Sequence, residues 1–292
     1  MAAKTTVVIV NWNSAPFLEK LLESIPSAVV AQTIVIDNAS TDHSMEVLER
    51  KKDVYVLRNH ENLGFGVAAN QGIELSRTRY VLLLNADIEV LPGAIETMEQ
   101  FLEENSKAAV VAPQLRFQNG RIQLSCRAFP TMTGLFLYLS FLDRIVPSDY
   151  RWKEQEHRVT VEVDQPMGAA LMFRKRVLQE IGLFDPRFFM YMEDVDLCLR
   201  IKQAGWTIFY LPEAQMIHHA GGSSAAEWER TQTNFLESVV RYFRKYSSPA
   251  QGIVLKFSLV GALVFRSLVL LVCGRFRQSR FYLAVLPRIF SY

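Results

Sequence analysis

Four short apolar runs in the first ninety residues each end in amide or carboxylate side chains. Asn11 and Asn13 follow the run 7–10, and Asp37 and Asn38 follow 34–36. Asn59 and Asn62 follow 54–57, and Asn85 and Asp87 follow 80–84. Any one of them reads equally well as a turn or cap residue, because Asn and Asp side chains hydrogen-bond nearby backbone. Ligands of a parallel α/β sheet bind beyond the carboxyl ends of its strands. Four such ends in succession could hydrogen-bond a base and a ribose and hold a divalent cation. Asp87 is the sharpest of the set. At the tip of Val81-Leu82-Leu83-Leu84 it is either an exposed turn residue or a ligand for Mg²⁺ or Mn²⁺ shared with substrate phosphates. Glu89, two residues on, is a weaker partner for the same ion. The loop Asn62-Leu63-Gly64-Phe65-Gly66 opens the helix that includes Asn70. Its glycines either shape an ordinary turn or let backbone N–H groups approach a diphosphate. The full dinucleotide fingerprint is missing.

The second half offers two more groups. In Tyr191-Met192-Glu193-Asp194-Val195-Asp196, a buried stripe of Val195, Cys198 and Leu199 leaves Glu193 and Asp194 in the first turn of a helix. Acids there suit the helix dipole, which also keeps them ionised. The alternative is an ionised carboxylate facing a cleft, ready to take a proton from a hydroxyl. His218-His219-Ala220-Gly221-Gly222-Ser223 follows the strand-like 215–217. A neutral imidazole can complete a metal site begun by a distant carboxylate, and a lone histidine after a strand can also be structural.

The elements that must position these groups are legible in the pattern. The runs 7–10, 34–36, 54–57 and 80–84 are predicted strands. Behind Ser14 as N-cap, Phe17, Leu18, Leu21, Leu22 and Ile25 recur at helical spacing. Ser40-Thr41-Asp42 is cap chemistry for the next helix, and a third spans about 67–75. Pro92 precedes the stripe Ile95, Met98, Phe101 and Leu102. Apolar strands with helices between imply a mainly parallel sheet covered on both faces, an α/β fold. Residues 113–165 are less regular, and Gly134-Leu135-Phe136-Leu137-Tyr138-Leu139 is apolar without a clear period. Order returns with a run at 167–173, a short helix closing at Gly182, a helix at about 193–204 with Gly205 beyond it, and a strand at 206–211.

Half of the 292 residues are apolar and 21% are charged, a globular composition. Residues 1–6 run into the apolar 7–10 without a signal-peptide core or cleavage site, so a cytoplasmic location is expected. Cys126, Cys198 and Cys273 are too widely spaced for a disulfide framework or a zinc site, and are expected to be reduced and mostly buried. The net charge of +2 hides an asymmetry. Residues 238–292 contain nine Lys and Arg and no Asp or Glu, a formal +9 that leaves −7 for residues 1–237. That split points the C-terminal segment toward an anionic surface, with no nucleic-acid partner expected. Within it, 253–273 is almost entirely apolar, interrupted by Lys256 and Arg266. A spanning helix, a buried helix pair and a segment lying in the membrane interface are all compatible with this. The basic flanks and the cost of a charge near mid-span favour the interface.

Taken in order, these residues resemble glycosyltransferase family 2, the inverting enzymes of GT-A fold, and within it a rhamnosyltransferase-like bacterial branch. The resemblance is carried by Val8-Ile9-Val10-Asn11-Trp12-Asn13, Ile36-Asp37-Asn38-Ala39-Ser40 and Asn62-Leu63-Gly64-Phe65-Gly66-Val67-Ala68-Ala69-Asn70. It continues through Leu84-Asn85-Ala86-Asp87, Phe184-Asp185-Pro186-Arg187-Phe188-Phe189, Glu193-Asp194-Val195-Asp196-Leu197 and the 218–223 motif. It covers about 5–225 and implies a GT-A domain, taken as 1–237 with a donor half of about 1–112 and an acceptor half of about 113–237, while the charge shift sets off a basic helical segment at 238–292. It assigns Asp37 to the pyrimidine base of the donor and Asp87 to the metal. The family's usual acid pair is here Asn-Ala-Asp, so Asp87 needs help, and His218 matches the family's metal-binding histidine. Asp194 matches the catalytic base, with Glu193 beside it. Asn11, Asn38, Asn62, Gly64, Asn70 and Asn85 complete the expected donor site. The Gln-x-x-Arg-Trp motif of processive members is absent, which implies transfer of one or a few sugars.

The branch resemblance implies a dTDP-rhamnose donor first and a UDP-sugar next, in cell-envelope polysaccharide synthesis. The basic, apolar C-terminus suits a polyprenyl-linked glycan acceptor at the inner face of the cytoplasmic membrane, with protein and free-glycan acceptors also open. Two other readings compete: a nucleotide-sugar-binding protein without catalysis, and a nucleotidyltransferase. The second normally needs a glycine-rich basic phosphate loop near the N-terminus, and Asn11-Trp12-Asn13-Ser14 is not one.

Overall fold

The computed structural model describes residues 4–146, 157–219 and 228–292. The strands β1 (Thr5–Asn11), β2 (Val30–Asp37), β3 (Val54–Arg58) and β4 (Tyr80–Asn85) alternate with α1 (Ala15–Ser24), α2 (Ser44–Glu49) and α3 (Phe65–Leu75). All four are parallel, in the order β3-β2-β1-β4. The side chains of β1 divide by the period of two expected of a strand. Val7 and Ile9 join one apolar layer with Leu82 and Leu84, while Val8 and Val10 join the opposite layer with Val81 and Leu83. Both faces are therefore covered, which is why these strands read as unbroken apolar runs.

After β5 (Ile88–Val90) and α4 (Ala94–Glu104), the chain enters β6 (Ala108–Arg116). The ribbon β7 (Cys126–Arg127) and β9 (Gln165–Pro166) stands apart from the main sheet. β10 (Ala170–Arg174) runs antiparallel between β4 and β6, followed by α6 (Lys175–Ile181) and α7 (Glu193–Gln203). β11 (Thr207–His218) lies parallel to β6 and antiparallel to both β5 and the short β8 (Val161–Glu162). The division expected near residue 112 falls inside β6, so the two halves share one continuous sheet.

Two local expectations change. Ser14 sits at the N-cap of α1, but its hydroxyl bonds Trp12 O at 3.1 Å. Asp42 caps the helix instead, accepting Ala15 N at 2.9 Å through Oδ2, while its Oδ1 accepts Ser44 N at 3.0 Å in α2. The unplaced apolar run is α5 (Met132–Leu139), whose N-cap Thr131 accepts Gly134 N at 3.0 Å.

The helix α8 (Trp228–Tyr246) runs through the expected boundary at 237/238 without a break. With α9 (Pro249–Val272) and α10 (Phe276–Ser291) it forms a third apolar cluster. That cluster includes Leu135 and Leu139 of α5, and Phe188, Met192 and Val195 around the start of α7. The C-terminal helices thus share a core with the helix that carries Glu193 and Asp194.

Candidate active site

Register brings the strand ends to one level: Asn11 lies opposite Asp37, Asp37 opposite Arg58, and Val10 opposite Asn85. Above them opens a cavity of about 440 Å³. Asn38, Asn62, Asn85, Asp87, Glu193, Asp194 and His218 line it. Asn11, Asp37, Gly64 and Asn70 do not, and each has a definite occupation.

Asp37 is fully buried. Its Oδ1 accepts Asn11 Nδ2 at 2.9 Å and its Oδ2 accepts Ser40 N at 3.1 Å, with Arg58 Nε 3.9 Å away. Asn11 also reaches Ser40 Oγ at 3.0 Å. The local reading of a strand-end Asp or Asn, bonding its own loop, describes this pair. Asn38 does similar work at the cavity wall. It donates to Asn62 Oδ1 at 2.9 Å and accepts Asn59 Nδ2 at 3.0 Å and Leu63 N at 3.1 Å. The amides tie the ends of β2 and β3 to the start of α3.

The glycine loop docks protein backbone. Gly64 has φ +85°, and a Cβ there would lie 2.3 Å from Phe189 O, while Phe65 N donates to that same oxygen at 2.9 Å. Asn70 donates to Phe184 O at 2.8 Å and accepts Phe184 N at 3.0 Å. Both grip the segment 184–189 that leads into α7.

Asp87 and His218 meet because β5 pairs with the end of β11, Ile88 opposite His218, and because His219 N donates to Asp87 O at 2.9 Å. His218 Nε2 lies 3.3 Å from Asp87 Oδ1. His218 Nδ1 lies 2.8 Å from Gln123 Oε1, so Nδ1 carries the proton and Nε2 presents its lone pair to the carboxylate. Two acceptors turned toward each other in this way are an arrangement that a bound divalent cation would relieve. This donor set, one carboxylate and one oriented imidazole, fits Mg²⁺ or Mn²⁺. Among the described residues no group of three or more His, Cys, Asp or Glu could hold a metal. The rest of the coordination sphere would fall to donor phosphates and water. Glu89 is drawn away to His219 Nε2 at 3.2 Å. Residues 220–223 of the histidine motif, Gly221, Gly222 and Ser223 among them, lie outside the described residues.

Across the cavity, Tyr191 (φ +69°) and Met192 (φ +65°) are consecutive non-glycine residues in the left-handed region. Such conformations cost of order 1–3 kcal/mol each and persist where the surroundings impose them. Here they swing the first turn of α7 onto the cavity. Asp194 Oδ2 accepts Gly168 N at 3.0 Å and its Oδ1 accepts Val195 N at 2.8 Å. Burial pushes the Asp194 carboxyl above its ordinary range, with the Gly168 and Val195 amides and the charge of Arg127 opposing. Glu193 Oε2 is buried without a hydrogen-bond partner. Burial, and then the charge of Asp194, push Glu193 well up. Of two adjacent carboxyls, Glu193 is pushed further toward its protonated form, while Asp194 has two backbone N–H donors that favour its charged form.

Sequence reasoning missed Gln123, Arg127 and Trp12, which also line the cavity. Gln123 arrives through a backbone return in which its N–H donates to Leu115 O at 2.8 Å, and nothing in its neighbourhood marks it. Trp12 stood in plain view between Asn11 and Asn13.

The model of the family described as "Glycosyl transferase family 2" matches residues 6–182. The chain is 29% identical over 291 residues to the N-acetylglucosaminyl-diphospho-decaprenol L-rhamnosyltransferase of Mycobacterium tuberculosis, covering 94% of each chain. It is 26% identical over 261 residues to the rhamnosyltransferase WbbL of Escherichia coli, covering 82% of this chain and 92% of that one. Its fold is similar to the mannosyltransferase PcManGT from Pyrobaculum calidifontis, solved with GDP-Man and Mn²⁺, at a TM-score of 0.57 and 16% identity, covering 99% of this chain and 76% of the other. A mixed, mostly parallel sheet of GT-A type, a cavity at its strand ends and a family match over more than half its length agree: the chain is a glycosyltransferase and belongs to glycosyl transferase family 2.

Proposed function

We propose that this chain moves one sugar, with inversion, from a nucleotide donor to a hydroxyl of a polyprenyl diphosphate-linked glycan in cell-envelope polysaccharide synthesis. dTDP-rhamnose is the first candidate donor and a UDP-sugar the next. One observation carries the reading: a single cavity has the Asp87–His218 pair on one wall and Asp194 on another. The lipid-linked acceptor is supported by the name of the mycobacterial relative, whose substrate is a decaprenol diphosphate sugar. It also suits the acid-free, basic segment 238–292, which we assign to the anionic inner surface of the cytoplasmic membrane.

Held by Asp87 and His218, a divalent ion would offset the charge that builds on the departing nucleoside diphosphate. The remaining steps belong to the chain. Gln123 fixes the imidazole so that Nε2 faces the site. Asp194, fixed by Gly168 N, takes the proton of the acceptor hydroxyl. The hydroxyl oxygen bonds the anomeric carbon as the bond to the diphosphate breaks on the opposite face, so the configuration inverts. Burial disfavours a second negative charge on Glu193 beside the attacking oxygen. A donor panel scored by product mass, with membrane lipids supplied as acceptor, tests the reading. Product from a dTDP- or UDP-sugar on a lipid acceptor is expected, and nucleotide binding without any product would overturn it.

A further inference from the structure

The uncovered side of α9 and α10 forms one apolar face bordered by arginines. Ile253, Phe257, Phe265, Leu268 and Val272 are 42–88% exposed. At 3.6 residues per turn they fall within an arc of about 120°, and no polar side chain from 253 to 272 enters that arc. The buried Leu255, Leu259, Ala262, Leu263 and Leu270 occupy the opposite side, against α5, α8 and α10. α9 thus has an apolar uncovered side as well as an apolar side packed on protein. The exposed side of α10 continues the face with Phe276, Leu283 and Phe290, and Phe257 meets Phe290 edge-on at 5.8 Å between ring centres. Beside that strip lies the exposed Arg280, with the exposed Arg277 and Arg288 about 100–120° round the helix from it, Arg275 at the turn between the helices, and Arg277 also reaching Glu229 at 2.9 Å.

We propose that this α9–α10 face is a membrane foot that lies in the plane of an anionic leaflet, its phenyl and aliphatic groups among the acyl chains and its arginines at the phosphates. α9 passes the length and composition test for crossing a membrane. The packing assigns it another posture. Arg266, the one arginine within α9, is on the protein side, 3.9 Å from the Phe141 ring centre and donating to Leu139 O at 3.0 Å. A spanning α9 would strip six buried side chains, Ser267 among them, from their partners and carry Arg266 into the bilayer. A second copy seated on this face would set two arginine-bordered surfaces together, which an anionic lipid surface does not. The inference builds on the lipid-linked acceptor reading, and it adds the face, its orientation and its lipid chemistry.

The chain carries its own probe. Cys273, at the end of α9, is exposed, while Cys126 and Cys198 are buried, and burial pushes the Cys126 thiol up to about 12 and Cys198 well up. The full chain, labelled at Cys273 with an environment-sensitive fluorophore, is titrated with vesicles of phosphatidylcholine alone or mixed with phosphatidylglycerol. A blue shift and roughly tenfold or more tighter binding to the mixed vesicles are expected, given about 1 kcal/mol for each basic residue at an anionic surface. The double variant F257D/L268D should lose the shift while binding nucleoside diphosphate like the parent, which shows that it is folded. No shift with either vesicle would overturn the proposal. So would quenching of the label by an aqueous quencher trapped inside the vesicles, the mark of a spanning helix. A dimer in solution that the double variant dissociates would assign the face to a second copy and equally overturn it. No acceptor is present in these titrations, so absent sugar transfer would sink the functional reading and leave the foot standing.

Discussion

Lys245 Nζ lies 2.5 Å from Asp196 Oδ1, joining α8 to the helix whose first turn carries Asp194. Asp196 is fully buried and also receives Tyr246 Oη at 2.7 Å and Arg200 Nε at 2.9 Å. The same ammonium reaches Asp185 Oδ2 at 2.8 Å, and Ser238 Oγ donates to Met190 O at 2.8 Å. The C-terminal helices thus hold the segment 185–196 from behind while the glycine loop holds it from the front.

Lys245→Met should therefore destabilise the fold. Removing one partner of a buried ion pair costs about 3–5 kcal/mol, and the surviving Arg200 and Tyr246 contacts place this case near the lower end. Denaturant unfolding measures it. Lys245→Arg should recover part of the loss, and an unchanged midpoint in the methionine variant would show that the pair contributes nothing.

Asp194→Asn should lower transfer by about 10²–10⁴-fold, the usual contribution of a positioned general base, with nucleotide binding within a few-fold of the parent. Glu193→Gln tests the other half of the assignment. Because burial pushes the Glu193 carboxyl toward its protonated form, this change should leave transfer within an order of magnitude. A loss as deep as that of Asp194→Asn would reverse the two roles.

The same pair sets a pH dependence of stability. Burial raises both carboxyls when folded, Glu193 the further. Below the ordinary carboxylate range both are protonated in folded and unfolded chains alike, and the stability is fully present. As pH rises past about 4.5, the ordinary glutamate value, the unfolded chain releases its protons first and stability falls until the raised folded values are passed. Glu193→Gln should flatten that decline and be more stable than the parent at neutral pH. A decline of the same depth in the variant would assign it to another group.

Gln123→Leu probes the metal site without touching a ligand. It removes the acceptor that fixes the His218 tautomer, a loss that ordinarily weakens metal affinity about 10–100-fold. Mn²⁺ titration followed by magnetic resonance, with nucleoside diphosphate present, reads this directly. His218→Ala should weaken binding at least as much, and equal affinity in both variants and parent would remove His218 from the site.

How far the sequence carried depended on the range of each interaction. β1 to β4 were legible because strands buried on both faces must be apolar without interruption, and Asp87, Asp194 and His218 stood out as polar groups at the ends of such elements. The inward turn of Asn11 and Asp37 was not legible, since a strand-end amide bonds its own loop or a ligand with the same atoms. Gly64 announced close backbone approach but not its object, Phe189, 125 residues away. α5 had no readable period because the C-terminal helices cover its outer side. The boundary at 237/238 followed the charge shift, and charge composition does not mark where α8 begins. Asp196 looked like one more first-turn acid, its partners 49 and 50 residues further on.

Gly64→Ala joins these themes in one substitution. Residue 64 holds φ +85°, which an L side chain resists, and its new methyl would sit 2.3 Å from Phe189 O, a backbone atom that cannot swing aside. Relief requires either α3 or the 184–189 segment to move. That segment is pinned by Asn70 at Phe184 and by Arg241 Nη1 at Arg187 O, 2.6 Å away. A cost of about 3 kcal/mol is expected, at the upper end for one substitution. Because the displaced segment runs into Tyr191, Met192 and α7, the surviving folded fraction should lose turnover at Asp194 more than donor affinity at the opposite wall. Saturation kinetics at a temperature where the variant is folded separate the two effects. A lower kcat with KM for the donor near the parent's is the expected result, and a raised KM at unchanged kcat would return the glycine to the diphosphate.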